Sequence, residues 1–337
     1  MAASGVLGKL KVILGVDAKN LQKGLTKSEK SLSQFGGVVR RTGDELNRIF
    51  VRGLQASTAA LVGFGAASAK IGSDFEAAMQ FVGATANATG KEMEKLEAEA
   101  RLIGSTTLFT ARQAAQGMTE FARAGMTTNE IISASRPAML LAGATMTDMA
   151  TATQGMSATL NQFGLDTSEA TRVSDILALA TRKSLFNLTG LLTAMKYGGP
   201  QARAYGMSLE EATAAMMEFR NLGLEAHQAG VYFRMMLAKT GKVTPEAERE
   251  LKKYGLTTES ISLKTNSFAG VLENLAKASI PKAEGAMERI FGVRAGPVVQ
   301  ALVENMQQGK DEFDNFTEAL LGAGGTTEDM YNRVLDT

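Results

Sequence analysis

Apolar residues along this chain recur mostly with a helical period. Ala114, Met118, Phe121 and Ala122 share one helix face, as do Val173, Ile176, Leu177 and Ala180, and again Leu209, Ala212, Met216 and Phe219. The opening differs: Leu10, Val12, Leu14 and Val16 alternate, which predicts one half-buried β-strand. Asp17 then caps a helix with Leu21, Leu25, Leu32 and Phe35 on one stripe, broken by Gly36-Gly37. A lone strand needs a ladder partner, so this one is expected to join a neighbouring chain. From Val38 to about Ala84, small residues fill one or two long helices.

The helices beyond are punctuated by one recurring turn. It reads Gly125-Met126-Thr127-Thr128-Asn129-Glu130, Gly164-Leu165-Asp166-Thr167-Ser168-Glu169 and Gly206-Met207-Ser208-Leu209-Glu210-Glu211, with looser copies at Gly223-Leu224-Glu225 and Gly255-Leu256-Thr257. The glycine takes the left-handed conformation that ends a helix. The Thr, Asp or Ser two residues later accepts from the next helix's free N–H groups, and a Glu beyond it completes a capping box. These signals predict helices at about 148–163, 167–182, 209–222 and 225–240. Another box, Thr89-Gly90-Lys91-Glu92, opens a helix expected to end before Gly104, and Thr110-Ala111-Arg112-Gln113 opens the next. Pro137 should kink or restart its helix. Later helices are expected after Thr244-Pro245, Asn266-Ser267, Pro281, Pro297 and Lys310. Thr327–Thr337 breaks off within a helical pattern, so a continuation is expected. The turns are unevenly spaced, which argues against a solenoid of fixed period.

Composition narrows the chemistry. With 337 residues, 45% of them hydrophobic, a sizeable core is available. Thirty-five Gly and 18 Met against six per cent aromatics point to close helix contact with adaptable packing. A net charge of +1 argues against general polyanion binding. Lys9 to Arg52 nonetheless holds ten Lys/Arg against four Asp/Glu. Contact with DNA or an acidic surface and a plain solvated helix face both fit that excess, and the missing interleaved aromatics favour the second. No cysteine is present, which removes disulfides, thiol nucleophiles and Cys-ligated zinc. Gly53–Ala69 is uncharged but short of the roughly 20 residues a bilayer core needs, and no transmembrane helix is expected there.

Catalytic signals are scarce. His227 is the only histidine and reads as an ordinary helix-start residue. Gly-x-Ser-x-Gly and phosphate-loop patterns are absent. Glu210/Glu211 and Glu92/Glu94 sit in first helical turns, where they serve cap and dipole. Met146, Met149 and Met156 read as core or interface filler, since a soft-metal site would want Cys or His as well. Gly198-Gly199-Pro200 reads as a helix–helix turn, with a hinge or contact loop as the alternative. No catalytic, cofactor-binding or metal residue is assigned.

Several stretches, in order over about 74–300, resemble the core of tail tape measure proteins from long-tailed bacteriophages and prophages. They include Asp74-Phe75-Glu76-Ala77-Ala78-Met79, Gly104-Ser105-Thr106-Thr107 and Leu160-Asn161-Gln162-Phe163-Gly164-Leu165. The most specific are Lys196-Tyr197-Gly198-Gly199-Pro200, Ala204-Tyr205-Gly206-Met207-Ser208-Leu209-Glu210-Glu211-Ala212 and Gln228-Ala229-Gly230. Ile290-Phe291-Gly292-Val293-Arg294-Ala295 is similar to the family's closing element.

The resemblance implies a non-enzymatic virion protein of the tail lumen or tip, assembled in the host cytoplasm, which sets tail length and assists DNA ejection. It implies a homo-oligomer, a trimer ahead of a hexamer, with the tail tube protein, baseplate hub or tip proteins and tail assembly chaperones as partners. DNA or membrane contact would be transient, during ejection, and no cofactor is implied. The alternative is an envelope-active ejection or pore protein of a tail or contractile injection system, and a cell-wall lytic enzyme is a remoter rival. Even wholly helical, the chain would reach only roughly 500 Å, and folded it would have a radius of gyration near ~20 Å. The expectation is therefore the family's folded head without its ruler. The expected fold is all-α, an irregular globule of short helices joined by Gly/N-cap turns, with one short N-terminal β-strand and a long helix ahead of the globule. The expected divisions are a strand–helix segment at 1–37, a small-residue helical segment at 38–84, a tape-measure-like helical core at 85–300 and a C-terminal helical segment at 301–337.

Overall fold

Glycines and capping residues set the helix boundaries in the computed structural model of the chain, which describes residues 72–278, 280, 285–310 and 312–336. The described residues form fourteen α-helices and, from Ser73 on, lie in one compact unit, Ser73–Thr337. They are α1 over 72–86, α2 Gly90–Thr106, α3 Ala111–Arg123, α4 Thr128–Ala144, α5 Met149–Phe163, α6 Ala170–Lys183 and α7 Leu188–Ala204. There follow α8 Leu209–Asn221, α9 Ala226–Gly241, α10 Pro245–Lys253, α11 Phe268–Lys277, α12 Ala286–Gln307, α13 Phe313–Leu321 and α14 Thr326–Leu335.

The recurring turn is real, and it has more copies than its glycines suggest. Gly125, Gly164, Gly206, Gly223 and Gly255 all have positive φ. In four of these turns the next residue's N–H reaches back five residues, as Met207 does to the Ala202 carbonyl. Asn87 (φ 51°) and Met146 (φ 49°) occupy the same left-handed seat, and Ala88 and Thr147 make the same backward bond to Gly83 and Ala142. The caps follow as expected. Asp148 accepts from the Thr151 N–H at 2.9 Å, and Ser208 with Glu211 forms a reciprocal box.

One core runs through the unit. Its first half gathers α2 to α6, with α14 laid against α4 and α6; its second half packs α8, α9, α11, α12 and α13. Four phenylalanines, Phe219, Phe233, Phe268 and Phe313, form a contiguous file with ring centroids 5.0–5.8 Å apart, tying α8, α9, α11 and α13 together. Contacts of α7 with α5 and of α6 with α8 join the halves.

Several sequence expectations are corrected. The expected strand is not seen: every regular element among the described residues is helical, and none of them offers a strand edge for pairing. The alternation at Leu10–Val16, the helix after Asp17 and the stretch Gly53–Ala69 lie outside the described residues. Gly104 does not stop α2, which runs on to Thr106; a β-carbon there would lie 2.5 Å from the Ala111 amide nitrogen, so the glycine serves close approach. Pro137 lies inside α4, which runs on from Thr128 to Ala144, so it does not restart the helix. The residues after Asp166 first form a short 3₁₀ turn, Thr167–Glu169, and α6 begins at Ala170. The break expected at Pro297 sits instead at Gly292 (φ 86°, ψ 161°), a conformation reserved for glycine. The two limbs of α12 then close so tightly that a β-carbon on Gly296 would meet the Glu288 backbone at 2.6 Å.

Candidate interaction site at the glycine crossing

Gly198-Gly199-Pro200 is neither a turn nor an exposed hinge: it lies inside α7, with Gly198 and Gly199 buried. The reason is tertiary. Helices α7 and α9 cross backbone to backbone, where a β-carbon on Gly230 would stand 2.3 Å from the Ala194 carbonyl oxygen and 2.7 Å from its Cα. On Gly198 it would stand 2.8 Å from the Phe233 ring and 3.2 Å from the Gly230 carbonyl oxygen. Each glycine costs a helix interior about 1 kcal/mol relative to alanine, and the closeness it permits offsets that cost. The third glycine, Gly199, receives the Gln162 side chain of α5. Arg203 of α7 donates to the Asn161 and Gln162 carbonyls at 3.2 and 3.1 Å, closing the end of α5. Three helices are thus locked at one point.

The crossing has an outer ridge. Tyr197 and His227 meet edge to face with centroids 4.5 Å apart, so the single histidine acts as an aromatic partner at the start of α9. Exposed Lys196 and Gln228 flank them. Beside the ridge runs a shallow groove of about 470 Å³ between α5 and α7, lined by Gln154, Ala158, Thr193 and Lys196 among others. A rigid base under a mixed polar and aromatic surface suits contact with another protein.

Buried carboxylates do architectural work. Asp175 of α6 accepts from the Gly325 and Thr327 N–H groups at 2.9 and 2.8 Å and so caps α14. Glu218 of α8 accepts from the Glu312 N–H at 2.9 Å at the start of α13. Glu210, which the sequence assigned to cap and dipole, is buried and binds Arg172 of α6. Its neighbour Glu211 makes the expected box. Glu250 is buried between Arg289 at 2.9 Å and Lys253 at 2.8 Å, whose hydrogen bonds hold its carboxyl below the ordinary carboxylate range. Glu92, Asp148 and Asp166 are likewise held low by hydrogen bonds from Thr89, Thr151 and Ser168 at helix starts. Glu99 moves the other way, raised by burial against the opposing pull of Arg136, in a groove of about 410 Å³. Asp175 and Glu328 also line that groove, and Asp175 is already engaged by two backbone donors.

The methionine trio separates. Met156 is fully buried, Met149 packs against the core, and Met146 is 82% exposed at its left-handed turn. Met149 also lines a groove of about 720 Å³ between α1, α3 and the start of α5, where Phe81 is half exposed under the Arg123 guanidinium. No helix among the described residues is long and apolar enough to cross a membrane, and no metal-holding cluster occurs among them.

The stretch that contains the crossing is also the stretch shared with known proteins. Residues 97–292, from α2 to the Gly292 break, match the phage-related minor tail protein family, and the chain belongs to that family. Two curated relatives carry a more particular name. One is the "Tape measure protein" of Pneumococcus phage Dp-1, 30% identical over 285 residues, covering 83% of this chain and 24% of that protein. The other is the "Probable tape measure protein" of Escherichia phage P2, 27% identical over 255 residues, covering 73% of this chain and 31% of that protein. The resemblance to tail tape measure proteins therefore holds, and the chain spans about a quarter to a third of the length of these relatives. No solved structure matches.

Proposed function

We propose that this chain is the folded domain of a phage tail tape measure protein and acts as an anchor, plug or assembly nucleus in the tail tube or at its tip. The observation that carries the reading is the family match over 97–292, which spans the glycine-locked crossing of α7 and α9. A ruler needs extended length, which a straight helix supplies at about 1.5 Å per residue. Helices of nine to 22 residues that turn back on one another supply a compact body instead. Most of each curated relative lies outside the stretch matched here, and in this proposal the measuring length lies there.

The domain works without catalysis, as several copies (a trimer ahead of a hexamer) against the tube protein, the hub or tip proteins and, during assembly, the tail chaperones. The engaged buried carboxylates support a structural role. The test is made in the phage: Gly230→Leu, which breaks the crossing, is compared with in-frame deletions outside the matched stretch. Electron microscopy should show few or irregular tails for the first and proportionately shortened tails for the second. Normal numbers of normal-length tails carrying the broken domain would sink the proposal.

A further inference from the structure

Most of the described helices carry their own cap, and two, α13 and α14, borrow a carboxylate from the core. Helices α2 to α5 and α7 to α11 open on their own Thr, Asp, Asn, Ser or Glu cap. Helix α14 opens on Gly325 in the left-handed region, and its first N–H groups are taken by Asp175, 150 residues earlier on α6. Its cap is borrowed from the core.

Its other attachments are equally remote. The Ser174 and Thr327 hydroxyls meet at 3.0 Å, both residues buried. The Tyr331 ring fills the notch left by Gly143 on α4, where a β-carbon would lie 2.5 Å from the ring. Its hydroxyl accepts from the Leu108 N–H. Arg182 and Asp329 add an exposed pair at 3.5 Å, which contributes little. Against this, α14 has ten residues and buries only Thr326, Thr327 and Tyr331. A helix that short is marginal alone in water, so it forms only where it docks. Gly322, Ala323, Gly324 and Gly325 precede it, a stretch in which only the small Ala323 side chain reaches the core. Helix α13, by contrast, buries Phe313, Phe316 and Leu320 in the core.

We propose that α14 is a releasable strap: it is helical when latched by Asp175 and Tyr331 and lets go as one unit while the crossing of α7 and α9 stays folded. The domain then has a strapped and a released state, and any load on the C-terminal side of the domain reaches the strap first. Release bares the Gly143 notch and returns the Asp175 carboxylate to water, so strap and latch change together.

The chain's lack of cysteine permits a clean test. Hydrogen exchange is followed on the full chain as wild type, as Asp175→Asn, and as the Ser174→Cys/Thr327→Cys double variant, oxidised and reduced. Wild-type amides of 328–335 should exchange at least about tenfold faster than those of the α7–α9 crossing. Asp175→Asn should speed the strap alone by about tenfold or more, and the oxidised lock should slow it to near the rate of the crossing. Should Asp175→Asn fail to fold, Tyr331→Phe, which keeps the ring and loses the bond from the Leu108 N–H, gives the same comparison. Equal exchange of strap and crossing in the wild type, equal acceleration of both in the variant, or a lock without effect on the strap would each overturn the proposal.

Discussion

Replacing Gly230 by alanine sets two ordinary effects against each other. By helix propensity the change should stabilise α9 by up to about 1 kcal/mol. At this position, however, the new methyl would lie 2.3 Å from the Ala194 carbonyl oxygen, 2.7 Å from its Cα and 2.9 Å from its carbonyl carbon. All three are backbone atoms, so no rotamer change relieves the clash. To restore ordinary contact the two helices must part by about 1 Å, which loosens Gly198 against Phe233 and disturbs the file of phenylalanines behind it. Overpacking costs typically 1–3 kcal/mol where side chains can yield, and here they cannot. A net loss of about 2 kcal/mol or more follows, or a fall in Tm of roughly 4–8 °C for a unit of this size. Urea and thermal unfolding measure it. The matched control is Gly90→Ala at the exposed start of α2, where a β-carbon meets nothing within 4 Å and stability should hold or rise slightly. A Gly230→Ala protein as stable as wild type would refute the backbone-contact argument.

Other outcomes follow from the same geometry. Met146→Gly should raise the urea midpoint, worth about 1 kcal/mol, because it removes the left-handed cost from an 82% exposed side chain with little packing to lose. Glu250→Gln should cost about 1–2 kcal/mol near neutral pH, a figure discounted because the Arg289 and Lys253 side chains are 38% and 61% exposed. The folded carboxyl of Glu250 is more acidic than the unfolded one at its ordinary 4.5, so its contribution is whole above that value and fades as pH falls through the lower folded value. Unfolding followed from pH 6 to pH 3 should therefore show a shallower acid loss in Glu250→Gln than in wild type.

How much of this was legible depended on the range of each interaction. The box at Ser208 and Glu211 is a contact three residues long, and the sequence displays both partners. The turns at Asn87 and Met146 escaped because their left-handed residues are not glycine, although Thr89 and Asp148 behind them are ordinary caps. Tail kinship was readable from Lys196–Pro200 and Gln228–Gly230, but their physical meaning was not, because it lies in where they meet. Glycine is one letter for two uses. At Gly206 it ends a helix, whereas at Gly198 it continues one and admits a neighbour.

An all-helical body in the described region, most of its helix boundaries, and membership among phage tail proteins could all be read from the order of residues. The helices were legible there because caps, helical periods and left-handed glycines act over a few residues. It took the folded chain to show that α7 runs through Gly198-Gly199-Pro200, that α12 bends at Gly292, and that α13 and α14 start on carboxylates 94 and 150 residues away. These features are set by packing and by buried partners distant in the chain, and no local pattern records a partner that folding alone brings near.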